Sequence, residues 1–379
     1  MLPSGIKLMK ERNQRLSKID KKIEKLESFR ILLLELMILV FMGFFFVFHV
    51  VCSFLLAVLL SWGGSGFGTL FSQFFYSWNF ARMSVGIPFL SLIIIFCYKL
   101  ILVSNDESDV CRLIEMEIQK ARQKLAMAGI DVTPYLEKLI WQSSPADPLY
   151  QVVNRLATKA GLPVPLLFIC SLPVPNAYTI TDTKHRSAIV LFEPLLKNMS
   201  ISDIESVIGH ELGHIISKDV QRGYIFGCAL YALQAPLLAG AMMCSVKTRE
   251  MLIYRKAEGP FIVRIIYAVF LYLFGILLQI IGFLPWSWAK GLEWWYDYYA
   301  EYLADARSVK ITDNPIGMAE ALIVLHHICD GSDRESFNPI SIMDVHPPST
   351  SRVRQFWPDF NGNFESAYCA IVRRRGWTY

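Results

Sequence analysis

The sequence is short of charge. Only 18% of its 379 residues are Asp, Glu, Lys or Arg against 54% hydrophobic ones, and the mean hydropathy is +0.37. That balance is too apolar for an ordinary soluble chain of this length, so a membrane protein with a soluble part is expected. The net charge is a modest +4. Basic residues gather near the N-terminus and not on an aromatic-laced patch, which argues against nucleic acid as a partner. Cysteine pairing is lacking too: eight cysteines are scattered without C-x-x-C spacing, several of them in apolar runs. They read as free thiols of a reducing compartment, which excludes a disulfide frame.

Histidine is scarce, with seven in the chain, yet two fall four apart in Val207-Ile-Gly-His210-Glu211-Leu-Gly-His214-Ile-Ile216. On a helix this spacing puts both imidazoles on one face a turn apart, with Glu211 beside them. A catalytic zinc wants nitrogen or oxygen ligands from one side, an open position, and a carboxylate that does not itself bind metal. Glu211 is the candidate general base. Ser202 with Glu205 three residues on reads as a capping box for this helix, and Ile204, Val207, Ile208, Leu212, Ile215 and Ile216 supply its apolar surface.

The chain divides by composition. Residues 1–30 form a basic cytoplasmic arm, with nine Lys or Arg against four acids from residue 7 to 30. A near-heptad of Met9, Leu16, Ile19, Ile23 and Leu26 is present, but a positive-inside anchor is preferred to a coiled-coil dimer arm. Residues 31–103 form a two-helix transmembrane hairpin, from the apolar runs Ile31–Trp62 and Ile87–Val103, and no cleavable signal is expected. Residues 104–222 turn soluble, with helices over Glu107–Ala128 and Leu149–Ala160. Three short strands follow at Leu166–Cys170, Ala177–Thr181 and Ser187–Phe192. Ser187–Phe192 is the candidate edge strand for holding an extended substrate, an ordinary core strand being the competing reading. Residues 223–285 form a second hairpin, from Gly223–Cys244 and Phe261–Leu284. Lys247, Arg249, Arg255 and Lys256 in its turn conflict with the positive-inside tendency, so it either crosses the membrane or dips into it. Residues 286–379 return to the soluble part through an aromatic cluster that includes Trp286, Trp288, Trp294 and Trp295.

A third ligand is required, and the helix carrying Glu301-Tyr-Leu-Ala-Asp305 can supply it from a carboxylate, with a second carboxylate one turn on to orient a ligand imidazole. By spacing alone Glu293 and Asp297 compete with Glu301. Taken together, Asn176-Ala177-Tyr178, Ala188-Ile-Val-Leu through Leu195-Leu196, His210-Glu-Leu-Gly-His214 with Asp219, Glu301-Tyr-Leu-Ala-Asp305 and His346-Pro-Pro-Ser-Thr-Ser-Arg352 resemble the M48 family of integral-membrane zinc metallopeptidases. The likeness is closer to HtpX-type proteases and more distant to the CaaX prenyl proteases. The resemblance implies a mainly helical α+β domain of gluzincin type with a small sheet, plus about four transmembrane helices. It implies one zinc per chain, with Glu301 as third ligand, Asp305 as its partner beyond the ligands, and Asn176 and Ala177 by the substrate cleft. It further implies a bacterial inner-membrane protein whose catalytic domain faces the cytoplasm. Glu193-Pro194 replaces the family's glycine before Leu-Leu, and the arm is longer than a minimal member needs.

The expected function is a zinc endopeptidase that cuts cytoplasmic segments of damaged membrane proteins. A narrow processing protease akin to the CaaX enzymes, or an inactive membrane scaffold, are the alternatives. Expected partners are polypeptides and the lipid bilayer, with homo-oligomerisation left open. Hydrolysis builds negative charge on the former carbonyl oxygen, and a second donor is needed there. His346 in its Pro-flanked loop is the candidate, and Arg352 is assigned near the substrate, mainly anchoring the loop through a carboxylate.

Overall fold

The computed structural model describes residues 3–61, 110–127, 129–131, 140–182, 186–246, 261–330 and 349–376. The run 87–103, the basic turn at 247–256 and His346 lie outside them. The described chain is mostly helical with one small sheet, in line with the expected α+β class. It forms two compact units. One holds Met1–Ile31, Val103–Arg222 and Tyr296–Tyr379; the other holds Leu32–Leu102 and Gly223–Trp295.

The first helix, α1 (Pro3–Ser61), is continuous through the arm and the first apolar run. In the first unit it is followed by α2 (Val110–Met127), β1 (Ile140–Gln142), α3 (Pro148–Lys159), β2 (Leu166–Cys170), β3 (Ala177–Thr181) and β4 (Ser187–Phe192). The strand order is β1-β2-β4-β3, with β2 and β4 parallel and the outer pairs antiparallel. Strands β2, β3 and β4 carry the bounds expected from β-like runs and proline punctuation, while three-residue β1 is too short to leave a signal. Leu167, Ile169, Ile189 and Leu191 face one core; Phe168, Cys170, Val190 and Phe192 face the other, under the apolar stripe Val110, Leu113, Ile114, Ile118 and Leu125 of α2. Burial on both faces explains why β2 and β4 read as unbroken apolar runs.

The expected edge strand is corrected by this order. Ser187–Phe192 lies between two neighbours, and the edge next to it is β3. An unbroken apolar run belongs inside a sheet; the polar Tyr178, Thr179 and Thr181 mark the rim.

After α4 (Glu193–Asn198) comes the histidine helix, α5 (Ile201–Ser217). Its capping box is Ser200 with Asp203, not Ser202 with Glu205, because the helix begins before the residue chosen from sequence. Ser202 accepts from Asn314 Nδ2 at 3.2 Å, and Glu205 pairs with Arg155. Lys218 ends α5 in the left-handed region at φ 54°. Then come α6 (Asp219–Cys244), α7 (Phe261–Thr312), α8 (Pro315–Asp330), α9 (Ser349–Arg354) and α10 (Phe364–Arg375). Aromatic residues 286–299 lie inside α7 and do not begin a new helix.

In the second unit α6 and α7 approach closely. A side chain at Gly240 would meet the Gly275 carbonyl at 2.4 Å, the small-residue contact used by helices in lipid. Two described helical stretches, Asp219–Cys244 and Ala268–Thr312, are long and apolar enough to cross a membrane.

Candidate metal centre

Helix α5 carries His210 and His214 a turn apart, and α7 brings Glu301 to them. The two Nε2 atoms are 3.0 Å apart. Glu301 Oε2 is 3.4 Å from His210 Nε2, and Oε1 is 3.5 Å from His214 Nε2. This close approach needs backbones that nearly touch. A Cβ on Gly213 would lie 2.9 Å from Ala304 Cα, and one on Gly209 would lie 2.7 Å from Ser308 Oγ. Gly209 and Gly213 share a face with the two histidines, and Ala304 and Ser308 stand opposite at the same spacing. These small residues carry no chemistry, so sequence reading passed over them.

Both histidines are held from behind. His210 Nδ1 is 2.9 Å from Asp305 Oδ1, and His214 Nδ1 is 2.7 Å from Asp219 Oδ2. Each Nδ1–H therefore donates to a carboxylate, and each Nε2 presents its lone pair inward. The left-handed turn at Lys218 is what swings Asp219 back onto a ring five residues earlier. Asp305 is in turn gripped by Arg352, whose Nε and Nη2 donate at 2.8 and 2.7 Å, while Nη1 stands 3.2 Å from Glu301 Oε2. Arg352 is buried, and these carboxylates hold its guanidinium protonated well above the usual range despite that burial. The donors of Arg352 are thus turned to Asp305 and Glu301. Burial lowers the His210 imidazolium, but Asp305 and Glu301 override it and raise its pKa to about 10.

Two lone pairs and a carboxylate converging within 3.5 Å repel one another unless a cation or proton sits among them. The donor set, two imidazoles and a carboxylate, is that of a catalytic zinc site with an open position. His210, His214 and Glu301 could each offer a metal ion one ligand atom, all within 4.8 Å of one another.

Glu211, between the histidines in sequence, is buried. Its Oε2 accepts from Thr179 Oγ1 at 2.8 Å, and its backbone carbonyl lies 3.2 Å from the same hydroxyl. Thr179 stands on edge strand β3 and was not singled out from sequence. Asn176, just before β3, accepts from Phe192 N through its carbonyl at 3.0 Å. In antiparallel pairing alternate residues turn toward the partner, so the backbone groups of Ala177 and Thr179 turn to the open side of the sheet. Tyr302, next to Glu301 in sequence, donates its hydroxyl hydrogen to Ser351 Oγ at 2.6 Å.

This geometry agrees with the comparisons. The profile of peptidase family M48 matches residues 143–356, which hold every residue of the centre. The chain belongs to peptidase family M48. The chain is 27% identical over 222 residues to a protease HtpX homolog of Streptococcus thermophilus, covering 55% of this chain and 72% of that protein. It is 28% identical over 238 residues to one of Listeria monocytogenes, with 58% and 75% covered, and 26% identical over 231 residues to one of Pyrococcus furiosus, with 55% and 72% covered. A structural comparison aligns it with the crystal structure of S. mikatae Ste24p at a TM-score of 0.39 and 20% identity, over 73% of this chain and 64% of that one. The M48 membership and the HtpX-type relatives accord with the resemblance carried by the motifs.

Proposed function

We propose that this M48 chain is a membrane-bound zinc endopeptidase that cuts segments of damaged or misfolded membrane proteins. The observation that carries the reading is the convergence of His210 Nε2, His214 Nε2 and the Glu301 carboxylate, each backed by a group that fixes its direction. These three would hold one zinc per chain. When bound, zinc would polarise the scissile carbonyl and make water acidic near neutral pH.

The protein's own groups do the rest. Glu211 takes a proton from the attacking water and returns it to the leaving amine. Thr179 occupies one oxygen of Glu211, which leaves the other for that transfer. Strand β3 pairs with an extended substrate through Ala177 and Thr179, placing the scissile bond beside α5. Asn176 and Ala177 line this cleft, Arg352 anchors Asp305 and Glu301, and His346 donates to the developing oxyanion. The long apolar helices would keep the enzyme in the bacterial inner membrane, with the catalytic unit in the cytoplasm.

Glu211→Gln tests the reading. An amide cannot take the proton, so zinc should remain near one per chain while cleavage falls on the order of a hundredfold or more. Glu301→Ala should lose zinc. Destabilised membrane proteins and a short prenylated peptide, offered to the purified enzyme, separate quality control from narrow processing. Near-normal turnover by the Glu211→Gln protein would remove Glu211 as the base.

A further inference from the structure

The N-terminal arm is the long feature that the catalytic reading leaves unused, and it lies outside the residues matched by the M48 profile. Its helix, α1, docks on the catalytic unit through a run of specific contacts. Ile19 packs against the main core, and Lys22 donates to Gln355 Oε1 at 2.6 Å. Glu27 pairs with Arg307, which also donates to the Gly213 carbonyl and to Ser217 at the end of α5. One turn further along α1, Arg30 Nη2 donates to Asp219 Oδ1 at 2.6 Å.

Arg30 is 0% exposed and lies 4.1 Å from the centroid of the Tyr296 ring. Its Nε and Nη1 find no hydrogen-bond partner among the described residues. A fully buried cation is costly unless an anion answers it, and Arg30 forms its ion pair with Asp219. The other oxygen of that carboxylate takes the Nδ1–H of His214 at 2.7 Å. The centre thus has two parallel relays. One runs His210, Asp305, Arg352, wholly within the matched residues. The other runs His214, Asp219, Arg30, and its last member comes from the arm.

We infer that Arg30 is a positioning residue of the metal centre: its ion pair fixes the Asp219 carboxylate from behind, and so fixes the direction of the His214 ring. The N-terminal helix is then part of the metal site's outer support, and not only a membrane anchor. This rests on the zinc reading above, and deepens it by bringing a segment outside the M48 match to bear on a ligand.

The test is zinc affinity of the full chain, measured by competition with a chelating dye, together with the visible spectrum of the cobalt-substituted protein. Partners beyond the ligands typically change metal affinity by 10–100-fold. Arg30→Met keeps the apolar stem and removes the charge; it should weaken zinc by about tenfold or more and alter the cobalt bands, and Arg30→Lys should recover much of the loss. Asp219→Asn should weaken zinc similarly, and the double variant Arg30→Met with Asp219→Asn should be no worse than Asp219→Asn alone. Lys310→Ala, which removes the exposed Asp20–Lys310 pair of the same arm, should bind zinc as the parent does. A folded Arg30→Met protein with parental affinity, or losses that multiply in the double variant, would overturn the inference. Should Arg30→Met fail to fold, the same cycle run with Arg30→Gln, which also removes the charge, decides it by the same criterion. A parent chain that binds no zinc would instead sink the underlying reading, so the two failures are distinguishable.

Discussion

At the scale of single residues, the centre is governed by which oxygen or nitrogen each neighbour occupies. Thr179 has one hydroxyl hydrogen, and the 2.8 Å contact to Glu211 Oε2 is the shorter of its two choices. A hydrogen bond to a charged group is worth about 1.5–3 kcal/mol. Thr179→Val, nearly the same shape, should therefore lower kcat by roughly tenfold with zinc content and KM little changed, and Thr179→Ser should restore it. Equal kcat in the valine variant would show that Glu211 needs no such guide. The proton balance gives a second prediction. In protein stripped by a chelator, the folded state binds the His210 proton up to about pH 10, whereas an unfolded histidine releases it near 6.5. The stabilisation is therefore fully present below about pH 6.5 and is lost as pH rises toward 10. Thermal melts of the stripped protein should fall across that window, and Asp305→Asn should flatten the slope. A slope unchanged by Asp305→Asn would count against Asp305 as the group that holds this proton.

At the scale of elements, helix contact and not helix propensity decides the site. Alanine is a better helix former than glycine by about 1 kcal/mol. At residue 213, however, its Cβ would lie 2.9 Å from the Ala304 backbone, and overpacking costs typically 1–3 kcal/mol. Gly213→Ala should thus lower both Tm and zinc affinity, and a variant with raised Tm would show that α7 can shift without cost. This contrast also marks where the sequence was legible. His210, Glu211 and His214 stood out because their spacing and chemistry are unusual in an apolar chain, Glu301 and Asp305 only through the resemblance their motif carries, and β2, β3 and β4 because short β-like runs are bounded by prolines. Thr179, Gly209, Gly213, Ala304 and Ser308 were not legible, since their parts depend on what a distant element brings within 4 Å. The inner place of β4 and the two-residue shift of the cap from Ser202 to Ser200 follow from neighbours in the same way. The pairing of Arg30 with Asp219 spans 189 positions, and no local pattern announces it.

At the scale of the whole molecule, the second unit's α7 stretch exposes Ile262, Ile266, Leu273, Ile280 and Leu284, each above half of its surface, a belt that water would not tolerate on a lone chain. The full protein should stay with membranes through an alkaline carbonate wash and require detergent for release. Recovery in the soluble fraction would argue against membrane residence. The metal centre itself is assembled from far-apart positions: His210 and Asp305 are 95 residues apart, and Asp305 and Arg352 a further 47. Contacts of such long separation form late. A ribosome making this chain therefore releases both histidines and the base well before the carboxylates and the arginine that complete them. Between the two it must deliver the apolar stretches of α6 and α7. A half-made copy holds Glu211 but lacks Glu301, Asp305 and Arg352, so its metal cage is unfinished while α6 and α7 are still being delivered. On the function proposed above, proteolytic competence would then be acquired only near the end of synthesis.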